Sequence, residues 1–284
     1  MDPLNADDVR RAVQIALSED IGTGDVTTQA LIPEKAVAKA VIVGREPLIV
    51  AGLALAEAVF RELCAKFEIS RVSEDGQNLK PGMPLLKIHG PARAILTGER
   101  VALNFLQRLS GVATLTGQFV EAIKGTRSQI IDTRKTTPGW RRLEKYAVVC
   151  GGGANHRFGL FDMVLIKDNH LAALGAEGPD AIAIALRRAR TAHPKMKIEI
   201  EADTLDQVEQ AIDAGADLVL LDNMNPVQLR LAVQKCKDRA KTEASGGVNL
   251  ATVRTIAEAG VDFISVGALT HSARAVDIGL DFEP

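Results

Sequence analysis

Ala214-Gly215-Ala216-Asp217-Leu218-Val219-Leu220-Leu221-Asp222 decides how the second half of this chain folds. A glycine closes a helical pattern, an apolar run of strand length follows, and a carboxylate stands where the run stops. The wording returns at Ala259-Gly260-Val261-Asp262-Phe263-Ile264-Ser265. Helix, glycine cap and near-continuous apolar strand mark a parallel strand buried on both faces. Working outward, strands are expected from Ser128 to Asp132, Met163 to Lys167, Lys197 to Glu201, Thr242 to Ser245 and Asp262 to Val266. Helices are expected from Asp180 to Ala192, Thr204 to Ala214, Pro226 to Arg239 and Leu250 to Ala259. Such alternation predicts a β/α barrel, whose chemistry gathers where the strands end.

Those ends carry polar residues in turn: Arg134 and Lys135, Lys167 and Asp168, Glu199 and Glu201, Asp222 and Asn223, Ser245-Gly246-Gly247, then Gly267. Between the first two lies Gly151-Gly152-Gly153-Ala154-Asn155-His156-Arg157, a glycine stretch whose backbone N–H groups can approach an anion. In Lys197-Ile198-Glu199-Ile200-Glu201 the period of two puts both carboxylates on one face, expected to be the lumen. Buried carboxylates need partners: opposing lysines, or a hydrated Mg²⁺ held by Glu201 and Asp222. Glycine turns leading into helices at Ser245 to Gly247 and at Gly267-Ala268 are expected phosphate sites. Long cations near strand ends are more often solvated than functional, but here they follow successive strands and point to a small polyanion.

The first half does not alternate regularly, as in an α+β layer. Helices are expected from Asp7 to Ser18, Gly52 to Lys66 and Thr97 to Lys124, the last bent at Gly111, with a strand from Ala36 to Val43. Asp20 and Asp25, around Gly22-Thr23-Gly24, are cation ligands or turn formers. Arg100, Asn104 and Arg108 form a stripe that is either a solvated face or a reach toward a site in a partner subunit. The formal charge is -2, so no global field recruits nucleic acid, and aromatics are too few for base stacking. From Arg127 to Lys145 six basic residues face two acidic ones, a local concentration. Three separated cysteines fit a reducing, cytoplasmic setting. The acidic start does not read as a secretory signal, and no apolar run reaches the roughly 20 residues of a membrane span.

Asp132-Thr133-Arg134-Lys135-Thr136, the Gly151 to Arg157 segment, Ile166-Lys167-Asp168-Asn169-His170, Leu221-Asp222-Asn223-Met224, Ser245-Gly246-Gly247 and Val266-Gly267-Ala268-Leu269-Thr270-His271-Ser272 closely resemble the quinolinate phosphoribosyltransferase family. The resemblance extends into Gly98-Glu99-Arg100 and Gly24-Asp25-Val26-Thr27-Thr28. It implies an N-terminal α/β sandwich (1–112) and an incomplete α/β barrel (113–272), with 273–284 packing back on the first domain. It also implies transfer of phosphoribosyl to quinolinate with Mg²⁺ in a homodimer. Arg134, His156, Arg157 and Lys167 would hold the two carboxylates, joined by Arg100 of the neighbouring subunit. Lys135, Glu201 and Asp222 would serve ribose, pyrophosphate and metal, with Glu201, Asp222, Lys135 and Lys167 the catalytic set. Ser245, Gly246, Gly247, Gly267 and Ala268 would take the 5′-phosphate. The alternatives are a nicotinate-specific relative, an aldolase with Lys167 as Schiff-base lysine, and a non-catalytic sensor of phosphorylated metabolites.

Overall fold

The structure, a computed structural model, describes residues 4–175 and 180–283; the beginning of the acidic leader, Met1 to Pro3, lies outside them. The chain divides into two compact units. One comprises Met1–Gly117, Thr136–Gly152 and Leu269–Pro284, the other Gln118–Lys135 and Gly153–Ala268.

In the first unit, α1 (Ala6–Ile21) starts at Asn5, whose side chain accepts the Asp8 N–H. Asp25 caps α2 (Val26–Leu31) in the same way, accepting from Thr28, so this carboxylate serves as a helix cap. The chain continues through β1 (Val37–Gly44), β2 (Leu48–Ile49), α3 (Leu53–Leu63), β3 (Glu68–Arg71), β4 (Asn78–Leu79), β5 (Pro84–Pro91) and α4 (Ala92–Ala122). The C-terminal strand Ile278–Glu283, β1, β5 and β3 form an antiparallel sheet in that order. Alternation along β1 buries Ala40 and Ile42, and the fully buried Leu86, Ile95, Leu106 and Leu109 extend the core. Each such side chain contributes roughly 1.5–3 kcal/mol by leaving water.

Two glycine expectations are corrected here. Gly111 lies within the continuous α4, and a Cβ there would sit 2.0 Å from the Arg274 carbonyl oxygen, so this glycine admits the returning C-terminal segment instead of bending the helix. Gly151 faces the Ala113 carbonyl oxygen, 2.4 Å from where its Cβ would be, which makes it a packing contact and not an anion cradle. It ends α5 (Arg141–Cys150), a helix missed in the sequence. Thr136–Gly152, which the sequence reading put in the second domain, falls in the first compact unit. Trp140 stacks on Phe105 at 5.2 Å, and Tyr146 donates to Asp75 at 2.6 Å.

The second unit is a six-stranded parallel sheet of β6 (Gln129–Ile131), β7 (Val164–Ile166), β8 (Ile198–Ala202), β9 (Leu218–Asp222), β10 (Lys241–Ser245) and β11 (Phe263–Ser265). Its order, β6-β11-β10-β9-β8-β7, joins the first strand to the last. The free edge of β6 carries a one-residue bridge, Ile131 to Ala154. Where roughly seven strands were expected, there are six and this bridge, because Gly151-Gly152-Gly153 supplies no apolar run to extend it. The barrel is therefore incomplete.

The covering helices are α6 (Asp168–Leu174), α7 (Ala181–Ala192), α8 (Leu205–Asp213), α9 (Pro226–Cys236) and α10 (Val253–Glu258). Thr204 with Gln207, and Asn225 with Gln228, form capping boxes that start α8 and α9. α9 stops short of Arg239, with Asp238 left-handed at φ 59. α10 begins later than Leu250, because Asn249 first turns the chain by accepting the Ala251 and Thr252 N–H groups.

Candidate active site

The C-terminal strand ends of the second unit surround a cavity of about 470 Å³. Its walls include Arg134 and Lys135 from beyond β6, His156 and Arg157 from beyond the Ala154 bridge, and Lys167 from beyond β7. Glu201 on β8, Asp222 on β9, and Glu243 and Ser245 on β10 complete them. Residues separated by more than a hundred positions thus meet because parallel strands end at one level. Gly246, Gly247, Gly267 and Ala268 follow β10 and β11 directly. Arg100 belongs to the first unit and is exposed on α4.

Arg134 and Lys167 are incompletely satisfied by the described residues. Arg134 Nε is buried with no hydrogen-bond partner among the described residues. Arg157 donates through Nη1 to the Met163 carbonyl (3.1 Å), and burial followed by repulsion from Arg134 lowers its pKa. Lys167 Nζ stands 3.5 Å from Glu201 Oε2, a loose ion pair. Burial is the first cause raising the pKa of Glu201 and Asp222; Asp222 adds to it at Glu201, and Asp203 at Asp222. A buried guanidinium nitrogen without a partner and carboxylates raised by burial and neighbouring acids are costly in isolation, which suits a site completed by charged ligands.

Beneath them, the expected carboxylate pair separates into two layers. Ile198 and Ile200 are fully buried in the strand while Glu199 and Glu201 share the opposite face. Glu199 is paired with a histidine and not with lysine: His156 Nε2 lies 2.9 Å from Glu199 Oε2 and 3.3 Å from Glu243 Oε2, without hydrogen-bond alignment to the latter. Burial works against a charged His156 ring, yet the two carboxylates outweigh it and push its pKa up. Glu199 is pushed up too, by burial first and then by Glu243. The Arg157 amide donates to His156 Nδ1 at 2.7 Å, which assigns a ring proton to Nε2, where it faces Glu199.

The fully buried Asp132 accepts the His156 N–H (2.9 Å) and the Asn155 side-chain amide (2.7 Å), fixing the segment that carries Arg157. Asp203 and Glu243 escaped the sequence reading, and Asp132, quoted there within a strand and a motif, was given no role. The signal for Glu243 was present: in Lys241-Thr242-Glu243-Ala244-Ser245 it shares a face with Ser245, as Glu199 does with Glu201.

Glu201, Asp203 and Asp222 each offer one oxygen within 4.8 Å of the others. Three hard oxygen donors, one exposed and two half-buried, match the chemistry of Mg²⁺ or a similar divalent cation. The phosphate expectation needs one correction. α10 has six residues and the turn Ala268–His271 four, too short for a helix field to matter. Any anion there must rest on the turns themselves, in which Gly246 and Gly247 have φ 94 and 59.

Cations of two strand-end loops facing a carboxylate set, above a parallel barrel, define a barrel enzyme of the kind that joins polyanionic small molecules. The chain matches the quinolinate phosphoribosyl transferase C-terminal domain over residues 112–281 and the N-terminal domain of the same family over residues 25–110. It is 44% identical over 281 residues to nicotinate-nucleotide pyrophosphorylase [carboxylating] of Mycobacterium leprae, covering 97% of each chain. With a probable enzyme of that name from Bacillus subtilis it shares 45% identity over 264 residues, 93% of this chain and 89% of the relative. The structure of the nicotinate-nucleotide pyrophosphorylase from Francisella tularensis superposes with a TM-score of 0.93 at 39% identity, covering 99% of this chain and 98% of that one. The chain belongs to the quinolinate phosphoribosyltransferase family. Membership removes the aldolase reading of Lys167.

Proposed function

We propose that this chain is a glycosyltransferase-class enzyme converting quinolinate and phosphoribosyl pyrophosphate to nicotinate mononucleotide, pyrophosphate and CO₂ in de novo NAD biosynthesis. The observation that carries the reading is the meeting of Arg134, Lys135, Arg157 and Lys167 in one cavity opposite Glu201 and Asp222. Quinolinate is a dianion and its co-substrate is more highly charged, so only a cationic cavity can hold both. Charge-assisted hydrogen bonds of about 1.5–3 kcal/mol each make four cations sufficient to offset desolvation.

Arg134, Arg157 and Lys167 bind the pyridine carboxylates, and His156 forms the wall from which Arg157 is aimed. Lys135 neutralises the departing pyrophosphate, while Glu201 faces the ribose as positive charge develops at its anomeric carbon. The ring nitrogen supplies the electron pair of the new bond and the pyrophosphate oxygen leaves with the old one. The ring–carboxylate bond then breaks, CO₂ departs, and the pair left on the ring carbon takes a proton from water. Glu201 and Asp222, with Asp203 beside them, would hold Mg²⁺, which shields the charge of the leaving pyrophosphate. Ser245-Gly246-Gly247 and Gly267-Ala268 receive the 5′-phosphate. Arg100, exposed on its own unit, acts in the site of a second copy in a homodimer.

A cytoplasmic location is part of this proposal, supported by three free cysteines; among the described residues no helix is long and apolar enough to cross a membrane. The test is release of CO₂ from carboxyl-labelled quinolinate by the purified protein. Dependence on both phosphoribosyl pyrophosphate and Mg²⁺ is expected, with no comparable use of nicotinate. Equal turnover of nicotinate would reject the assignment.

A further inference from the structure

Among the described non-glycine residues only Asn223 and Asp238 have positive φ, and Asn223 directly follows Asp222, which lines the active-site cavity. Its backbone N–H donates to the Ser245 carbonyl (3.0 Å), one step beyond the paired Asp222 and Ser245 of β9 and β10. At φ 52 the chain then turns left-handed and the side chain folds back. Nδ2 donates to Asp222 Oδ2 at 2.6 Å, and Oδ1 lies so close to Gly246 that a Cβ there would be 2.1 Å away.

Few residues fit these demands together. Left-handed backbone favours glycine, asparagine and aspartate. Glycine has no donor for Asp222, and aspartate would bring an acceptor against an acceptor. Asparagine alone of the three adopts the turn and bonds a carboxylate that already faces Glu201 and Asp203.

We propose that Asn223 is a positioning residue that orients the Asp222 carboxylate toward Glu201 and Asp203 and, by its fit against Gly246, keys that carboxylate to the Ser245–Gly247 turn. One side chain then sets the cation-holding and phosphate-holding parts of the site relative to each other. The inference rests on the roles given above to Glu201, Asp222 and the glycine turn.

The test uses the full-length protein and Mn²⁺, whose binding is read by electron paramagnetic resonance with and without phosphoribosyl pyrophosphate. Asn223→Gly keeps the backbone and removes the bond; Asn223→Asp keeps backbone and shape but sets an acceptor against the Asp222 acceptor. Both variants should bind Mn²⁺ with its co-substrate about tenfold more weakly, a usual effect of losing a hydrogen bond that orients a metal ligand. The KM for phosphoribosyl pyrophosphate should rise in step, while the KM for quinolinate stays within about twofold. If charge count alone governs the site, Asn223→Asp tightens Mn²⁺ binding, which overturns the proposal. Unchanged affinities in both variants overturn it as well, as does a uniform loss for both substrates with a lowered melting temperature. Wild-type protein that fails to bind Mn²⁺ and phosphoribosyl pyrophosphate defeats the functional reading itself, before any variant is made.

Discussion

The two ends of the barrel treat charge in opposite ways. At the floor, where the strands begin, a cleft of about 550 Å³ is lined by Arg127, Asp217, Lys241 and Asp262, and it is the larger of the two cavities. These four, which stand at the strand starts, each have a partner, while Lys237 and Asp238 line the cleft farther from the strands. Asp262 accepts from Lys241 (2.9 Å) and from the Thr242 amide and hydroxyl (3.0 and 2.9 Å), with Arg127 at 3.0 Å. Asp217 takes Arg190 at 2.7 Å and the Ile198 amide at 2.8 Å. At the mouth, Arg134 Nε has no hydrogen-bond partner among the described residues, and Lys167 reaches Glu201 only at 3.5 Å. Unspent charge, and not cavity size, separates the end that binds from the end that holds the strands together.

The hardest test of that contrast is Glu201→Ala, which should lower kcat by about a hundredfold or more while leaving the urea midpoint near wild type. An equal loss from Asp262→Ala would erase the distinction between the ends. Next in size, Arg157→Ala should raise the KM for quinolinate roughly 10- to 100-fold through one lost charge-assisted contact. Lys135→Ala should instead act mainly on kcat, and steady-state kinetics would expose a reversal of these roles. At the floor, Asp262→Asn is expected to cost about 1–2 kcal/mol of stability by urea titration with kcat/KM unchanged.

The smallest effect concerns pH, where the two ends should differ in sign. Burial would raise Asp262, but Lys241, Thr242 and Arg127 outweigh it and hold its carboxyl below the ordinary range. Its contribution is present above the unfolded pKa and fades as pH falls through the folded one, so Asp262→Asn should flatten the acid limb of the stability curve. Glu201 and Asp222 are raised, mainly by burial. The folded state then binds more protons than the unfolded one, and stability falls as pH rises through their titration. In metal-free buffer Glu201→Gln should gain stability at neutral pH and little near pH 4. Parallel curves for the two variants would count against the contrast.

The mouth was largely legible because a barrel writes its site at strand ends. An apolar run followed by Lys167, or by Asp222, announces both the strand and its terminus. The strand ends expected from the repeated glycine–strand wording fall within a residue or two of those observed. Gly111 and Gly151 were misread because a glycine looks alike in sequence whether it bends a helix, cradles an anion or lets another segment pass. α5 went unseen because Arg141, Arg142, Glu144 and Lys145 crowd its first half, although Glu144 and Lys145 are buried with Leu143, Ala147 and Val148.

By itself, the sequence determined the alternation of helices and strands in the second half, the inward face of the strand carrying Glu199 and Glu201, and the family, since periodicity and motif spacing are local and survive without coordinates. Only the tertiary structure decided that Thr136–Gly152 clusters outside the barrel, that Glu199 meets His156, and that Asn223 bonds Asp222 while resting on Gly246. Those outcomes depend on distances of a few ångströms between segments tens of residues apart. Such distances are set by packing and strand register, which no stretch of chain encodes alone.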